Sequence, residues 1–210
     1  MKNSDKKIAH IVKERIEEGD KGQIYFVNNF SDLQNDQTVT KALQRLAEDG
    51  LLIRLSKGVY LYPETTRFGI IIPSVEEIVK AIAERDNVMI LPSGKTALNK
   101  LGLSSQVPMN AVFLTTGSTR TIKVGNRKLL LKRAAPRNFA YKGTLMPLVT
   151  ESLKALGKNN IDKEIIDKLK QIIRSLSDTD FITFTEDLQY VPQWIRSIIL
   201  KTIKDKNTYD

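Results

Sequence analysis

Asp36-Gln37-Thr38-Val39-Thr40-Lys41-Ala42-Leu43-Gln44-Arg45-Leu46-Ala47-Glu48-Asp49-Gly50-Leu51-Leu52-Ile53-Arg54-Leu55-Ser56-Lys57-Gly58-Val59-Tyr60 is the stretch on which the fold turns. Asp36 can cap the free N–H groups of a helix, and Gly50 can supply the left-handed residue that ends it. At 100° per residue, Val39, Ala42, Leu43 and Leu46 fall on one side of that helix. Gln37, Lys41, Gln44, Arg45 and Glu48 fall on the other, flanked by Thr38 and Thr40. Leu51 to Leu55 and Val59 to Tyr62 then read as two strands around Ser56-Lys57-Gly58, a connection of hairpin length.

Toward the N-terminus, Ile8, Ile11, Val12 and Ile16 recur at helical spacing between Ser4 and Glu18, and the run stops at Gly19-Asp20. Gln23 to Phe26 predicts a short strand, and Phe30 to Leu33 a helical turn. Helix, strand, helix, helix, strand, strand is the order of a winged helix. An exposed helix that opens with amide, hydroxyl and basic side chains suits the major groove of DNA. Gln reads adenine bidentately, Arg or Lys reads guanine, and a Thr methyl touches thymine. Gln37, Thr38, Lys41, Gln44 and Arg45 are therefore the candidate base-reading residues, with Arg54 and Lys57 on the hairpin as candidate phosphate contacts. Any solvated helix carries such side chains, so the expectation rests on the ordered set of elements and not on the helix alone.

Toward the C-terminus, Pro63 to Pro73 reads as a linker, and Ser74-Val75-Glu76-Glu77 has the spacing of a capping box that opens a helix to Arg85. A strand at Val88 to Leu91, a helix at Lys95 to Leu101, a strand at Ala111 to Thr115 and a hairpin at Thr121 to Lys132 follow, the hairpin turning at Gly125-Asn126. Helices are expected at Leu145 to Leu156, Asp162 to Leu176 and Asp187 to Lys204. The fold predicted is α+β: an N-terminal winged helix-turn-helix over residues 1–66, a small, basic mixed α/β domain over 67–143, and a helical tail over 144–210 packed on the second domain. Trp194 with Val191, Ile195 and Ile198 has helical spacing and reads as core or dimer interface.

The formal charge of +9 is unevenly placed. Residues 1–66 carry ten basic and ten acidic side chains, residues 67–143 thirteen and four, and residues 144–210 ten and ten. From Ser118 to Lys142 there are eight basic residues and no acidic one. Arg120, Lys123, Arg127, Lys128, Lys132, Arg133 and Arg137 thus form a second candidate site, a field that attracts a polyanion or an acidic protein. Alternation on a strand points Lys128 and Lys132 one way and Leu129 and Leu131 the other, and lysines that guard a sheet edge account for the pattern equally well. Phe139 and Tyr141 can stack on bases, though two aromatics alone do not single out a nucleic acid. The neutrality of residues 1–66 counts against strong phosphate binding there.

The chain has no cysteine, which excludes disulfides, thiolate zinc sites and cysteine nucleophiles and fits a reducing compartment. A charged start, Met1 to Lys7, and the absence of any apolar run of about 18 residues predict neither a secretory leader nor a membrane span. A cytoplasmic protein without membrane contact is expected. His10 is the only histidine, which excludes His-rich metal sites and leaves one imidazole for any triad. Ser93-Gly94-Lys95-Thr96 resembles the end of a phosphate-binding loop, but the first glycine of that motif would fall at Met89, and Pro92 removes an N–H. An ordinary helix start accounts for it. No catalytic residue, metal or cofactor is expected.

Two regions also resemble a known family. Lys41 to Tyr60, as quoted above, resembles the helix-and-wing core of the AbiEi-type antitoxin and regulator family. Leu91-Pro92-Ser93-Gly94-Lys95-Thr96-Ala97-Leu98-Asn99-Lys100-Leu101-Gly102-Leu103-Ser104, followed by Val112-Phe113-Leu114-Thr115-Thr116-Gly117, is similar to that family's second domain. The resemblance covers roughly residues 5–140 and leaves the tail from Thr144 outside it. It implies a winged helix that binds operator DNA upstream of its own operon, and a second domain that in some members counteracts a nucleotidyltransferase-like toxin, without implying that the two proteins touch. The expected function is a non-enzymatic, sequence-specific regulator of double-stranded DNA, an autorepressing antitoxin, with a dimer on DNA as one form. Two rivals stand beside it: an antitoxin whose basic domain neutralises the toxin directly, and a nucleotide-binding enzyme built on Ser93 to Thr96.

Overall fold

Apolar side chains one helical turn apart decide where the first helix packs. Helix α1 (Asn3–Glu17) buries Val12 and Ile16 completely, while His10, Lys13 and Glu17 on its other side remain exposed. The computed structural model describes residues 3–204, a mixed α/β arrangement of helices with three small sheets among the described residues. Of the charged start noted above, Met1 and Lys2 lie outside those residues. None of the described helices is long and apolar enough to cross a membrane. The chain divides into two compact units, residues 1–88 with 121–129, and residues 89–120 with 130–210.

In the first unit, α1 is followed by strand β1 (Ile24–Tyr25), a 3₁₀ turn (Val27–Leu33) and helix α2 (Asp36–Glu48). The N-cap of α2 is Asn35 and not Asp36: the Asn35 side-chain oxygen accepts the Thr38 N–H at 3.1 Å, and Asp36 occupies the first helical turn. Gly50 ends the helix as expected, with φ at +82°, and the Leu51 N–H returns to the Leu46 carbonyl at 2.9 Å. Strands β2 (Ile53–Ser56) and β3 (Val59–Leu61) pair antiparallel through a two-residue turn, Lys57-Gly58, one residue tighter than the sequence suggests. The sheet order is β1-β3-β2. Val12 and Ile16 meet Tyr25, Phe30, Val39, Ala42, Leu43, Leu46, Leu52 and Tyr60 in one core. At about 25 cal/mol per Å² of apolar surface, that burial is what orients α2.

The expected linker between Pro63 and Pro73 is instead a two-stranded hairpin, β4 (Glu64–Thr66) and β5 (Gly69–Ile71), with every strand residue exposed. Helix α3 (Val75–Asp86) begins with the predicted capping box: the Ser74 hydroxyl accepts the Glu77 N–H at 3.2 Å, and the Glu77 carboxylate accepts the Ser74 N–H at 2.7 Å. Arg85 near its end lies 4.4 Å over the Phe26 ring and donates to the Gly58 carbonyl at 3.4 Å. These contacts explain why α3 groups with the first unit and the division falls after Val88, not near residue 66.

The second unit begins with β6 (Ile90–Pro92), α4 (Gly94–Lys100) and β7 (Asn110–Thr115). Next in the chain are strands β8 (Arg120–Val124) and β9 (Arg127–Arg133), of which residues 121–129 belong to the first unit, and the sheet order is β6-β7-β9-β8. Four helices complete the chain: α5 (Leu145–Leu156), α6 (Lys163–Arg174), α7 (Asp178–Glu186) and α8 (Gln193–Lys204). The single helix expected over Asp187 to Lys204 is therefore a 3₁₀ turn, Asp187–Tyr190, and then α8 after Pro192, while α7 lies where none was expected. Leu98, Leu101 and Leu103 share a core with Met146, Val149, Leu153, Leu169, Phe184 and Ile195, so the helices close over α4. Trp194 packs against this core half-buried.

Candidate nucleic-acid interface

Helix α2 separates its two faces as its period requires. Val39 and Leu43 are fully buried, and Gln37, Lys41 and Arg45 are exposed, with Glu48 exposed and Gln44 half-buried beside them. Thr38 is the correction. It is 8% exposed, and its hydroxyl donates to Asp5 at 3.0 Å, so it ties α2 to α1 and has no place on the outward arc. Thr40 is half-buried and donates its hydroxyl to the Asp36 carbonyl at 2.7 Å.

The hairpin carries the next two candidates. Arg54 on β2 is exposed and stands opposite Tyr60, and Lys57 is exposed in the turn. Burial pushes the Tyr60 hydroxyl pKa up, and the Arg54 guanidinium pulls it part of the way back. Arg54 also lines a cavity of about 290 Å³ with Leu55, Leu61, Ile72, Lys123 and Asn126. Arg54 and Lys123 thus converge within the first unit. No local pattern links a residue on β2 to one on β8, so the sequence shows them as members of separate groups.

The basic run is distributed along β8 and β9 and the segment that follows. Its Lys123, Arg127 and Lys128 belong to the first unit, and its Arg120, Lys132, Arg133 and Arg137 to the second. All are exposed except the half-buried Arg120. Leu129 and Leu131 are buried, so alternation puts Lys128 and Lys132 on the water face, as expected, and Lys123 between the buried Ile122 and Val124 is exposed likewise. Phe139 is buried and unavailable for stacking, whereas Tyr141 is half-buried.

Residues 11–181 match DUF6088, a family of unknown function. The chain belongs to this family. The match to DUF6088 takes in α2, the β2–β3 turn, the basic run and the helices as far as Phe181, and so reaches beyond the residue-140 limit of the resemblance noted from sequence. No curated protein matches the chain.

In this DUF6088 chain the loop Ser93 to Thr96 is occupied by its own contacts. The Thr96 hydroxyl accepts the Val112 N–H at 2.9 Å, and the Ser93 hydroxyl donates to the Glu151 carboxylate at 2.6 Å. The Ser93 and Thr96 hydroxyls are thus engaged within the protein, and neither is presented to a phosphate or a metal ion. Glu151, 9% exposed, also receives Lys154 at 2.9 Å. Its partners are 58 residues away or on another turn of its helix, so no local pattern marks it. His10 is exposed, 3.2 Å from Glu14, one turn along the same helix.

Proposed function

We propose that this chain is a sequence-specific DNA-binding regulator of the winged-helix type. The observation that carries the reading is the outward arc of α2, Gln37, Lys41 and Arg45 with Gln44 beside them, held by the fully buried Val39 and Leu43. The order α1, β1, 3₁₀ turn, α2, β2, β3, with β1-β3-β2 as its sheet, supports a winged helix in which α2 enters the major groove. Arg54 and Lys57 then meet the phosphate backbone, joined by Lys123. The protein acts in the cytoplasm, as a repressor of its own operon and an antitoxin in the manner its resemblance suggests, and it is not an enzyme.

The test is fluorescence anisotropy of the full chain with the duplex upstream of its own gene, against a scrambled duplex of equal length. Specific recognition at physiological salt gives a preference of about a thousandfold or more. Equal affinities for the two duplexes overturn the reading.

A further inference from the structure

The second unit holds a cavity of about 410 Å³ lined by Arg137, Asn138, Tyr141, Lys154, Tyr190 and Pro192 among others. Its volume is within the range of small-molecule sites, and its lining combines two cations with two aromatic rings. The Tyr141 and Tyr190 rings meet edge to face, with centroids 6.0 Å apart. Tyr190 is 39% exposed.

Both tyrosine-bearing segments are pinned from below. Asp187 is completely buried, and its carboxylate accepts the Lys142 N–H and the Gly143 N–H, each at 2.8 Å. The Lys142 ammonium adds a 2.9 Å bond to Glu186, which raises its pKa further above neutrality. On the other side, the Arg196 guanidinium donates to the carbonyls of Leu188 and Gln189, at 2.8 and 3.0 Å, and so fixes the turn that ends in Tyr190. Charge-assisted hydrogen bonds of this kind hold the two rings in place before any ligand arrives, which removes part of the ordering cost of binding. Lys154 divides its charge with Glu151, whereas Arg137 is exposed at the rim and has no ion pair among the described residues.

We propose that this cavity binds a nucleoside phosphate, its base stacked on the exposed Tyr190 ring beside Tyr141 and its phosphate met by Arg137 and Lys154. The site is separate from α2 and does not rest on the DNA-binding reading. The ligand is either a free nucleotide or the phosphorylated end of a single strand.

Titration of the full chain with AMP, followed by calorimetry and by the fluorescence of the only tryptophan, Trp194, tests the site. Parallel arms use adenosine, inorganic phosphate and a 5′-phosphorylated oligo-dT. AMP binds below about 1 mM, and adenosine and phosphate alone each bind at least about tenfold more weakly, because each lacks one half of the recognition. Arg137→Ala and Tyr190→Leu each weaken AMP by about tenfold or more. Both positions are exposed, so an unchanged circular dichroism melt confirms that the variants fold. An oligonucleotide that binds more tightly than AMP and responds to the same substitutions assigns the site to a strand end; equal or weaker binding assigns it to the free nucleotide. Failure of both AMP and the oligonucleotide to bind, or binding that neither substitution changes, overturns the proposal.

Discussion

Arg15 grips the carboxylate of Asp32 through two parallel N–H···O bonds, 2.8 and 2.6 Å long, and so fastens α1 to the 3₁₀ turn that leads into α2. The guanidinium holds the Asp32 pKa below the usual carboxylate range. Its contribution to stability is therefore complete above the ordinary Asp pKa, about 4, and is lost as the pH falls through the depressed value. Asp32→Asn should lower the urea midpoint modestly at pH 7, since both side chains face water, and the gap from the parent should close on acidification. Urea titrations from pH 7 to pH 2 check this; a gap that stays constant over that range contradicts it.

Base reading and phosphate contact leave different traces in mutants. If Arg45 or Gln44 contacts a base edge bidentately, its alanine variant loses about 1–3 kcal/mol of operator affinity and relaxes preference at one base pair. Lys57→Ala weakens all duplexes alike. Affinities measured over a panel of single-base-pair changes separate the two patterns, and operator binding that survives in alanine variants of Gln37, Lys41, Gln44 and Arg45 takes α2 out of the mechanism.

Salt dependence reports on the basic run. Each phosphate neutralised adds about 0.9 to the slope of log affinity against log salt. Replacing Arg127, Lys128, Lys132 and Arg133 together should flatten the slope by as much as about 3.6 and leave base preference in place. A slope identical to that of the parent sends the patch to an acidic protein partner instead.

The arc on α2 depends on the core beneath it. Leu43 is fully buried, and Leu43→Ala should cost about 2–5 kcal/mol in unfolding free energy. Gly50→Ala should cost only about 1 kcal/mol, because the added methyl meets nothing within 4 Å and the penalty is that of the left-handed backbone alone. Denaturant midpoints rank the two, and a reversed order contradicts this account of how α2 is held.

What the sequence discloses here is what repeats locally. The faces of α2, the stop at Gly50, the capping box at Ser74 and helix α5 all follow from periodicity or from residues three or four apart. Helix α7 buries only Phe184 outright and carries no long apolar stripe, so its period is faint. The hairpin after Pro63 escaped notice because its strands have three residues each and bury neither face. Thr38 was misplaced for a different reason: its partner, Asp5, lies 33 residues away. Asn35 and Asp36 are both competent caps, and only backbone geometry chooses between them. Long-range relations such as Arg54 and Lys123 on one cavity, or Asp187 with the Lys142 and Gly143 amides, leave no mark in any short window.

The exposed ribbon from Glu64 to Ile71 gives the chain a seam. A two-stranded hairpin whose strand residues are all exposed is marginal by itself, so local opening there costs little compared with unfolding α1 or α2. Its tip presents Phe68, 86% exposed, beside Arg67. Chymotrypsin and trypsin should therefore nick the native chain first at these two neighbouring residues, and mass spectrometry of the earliest fragments reads the cut directly. One cleavage at this seam parts the segment bearing α2 from the segment bearing most of the positive charge.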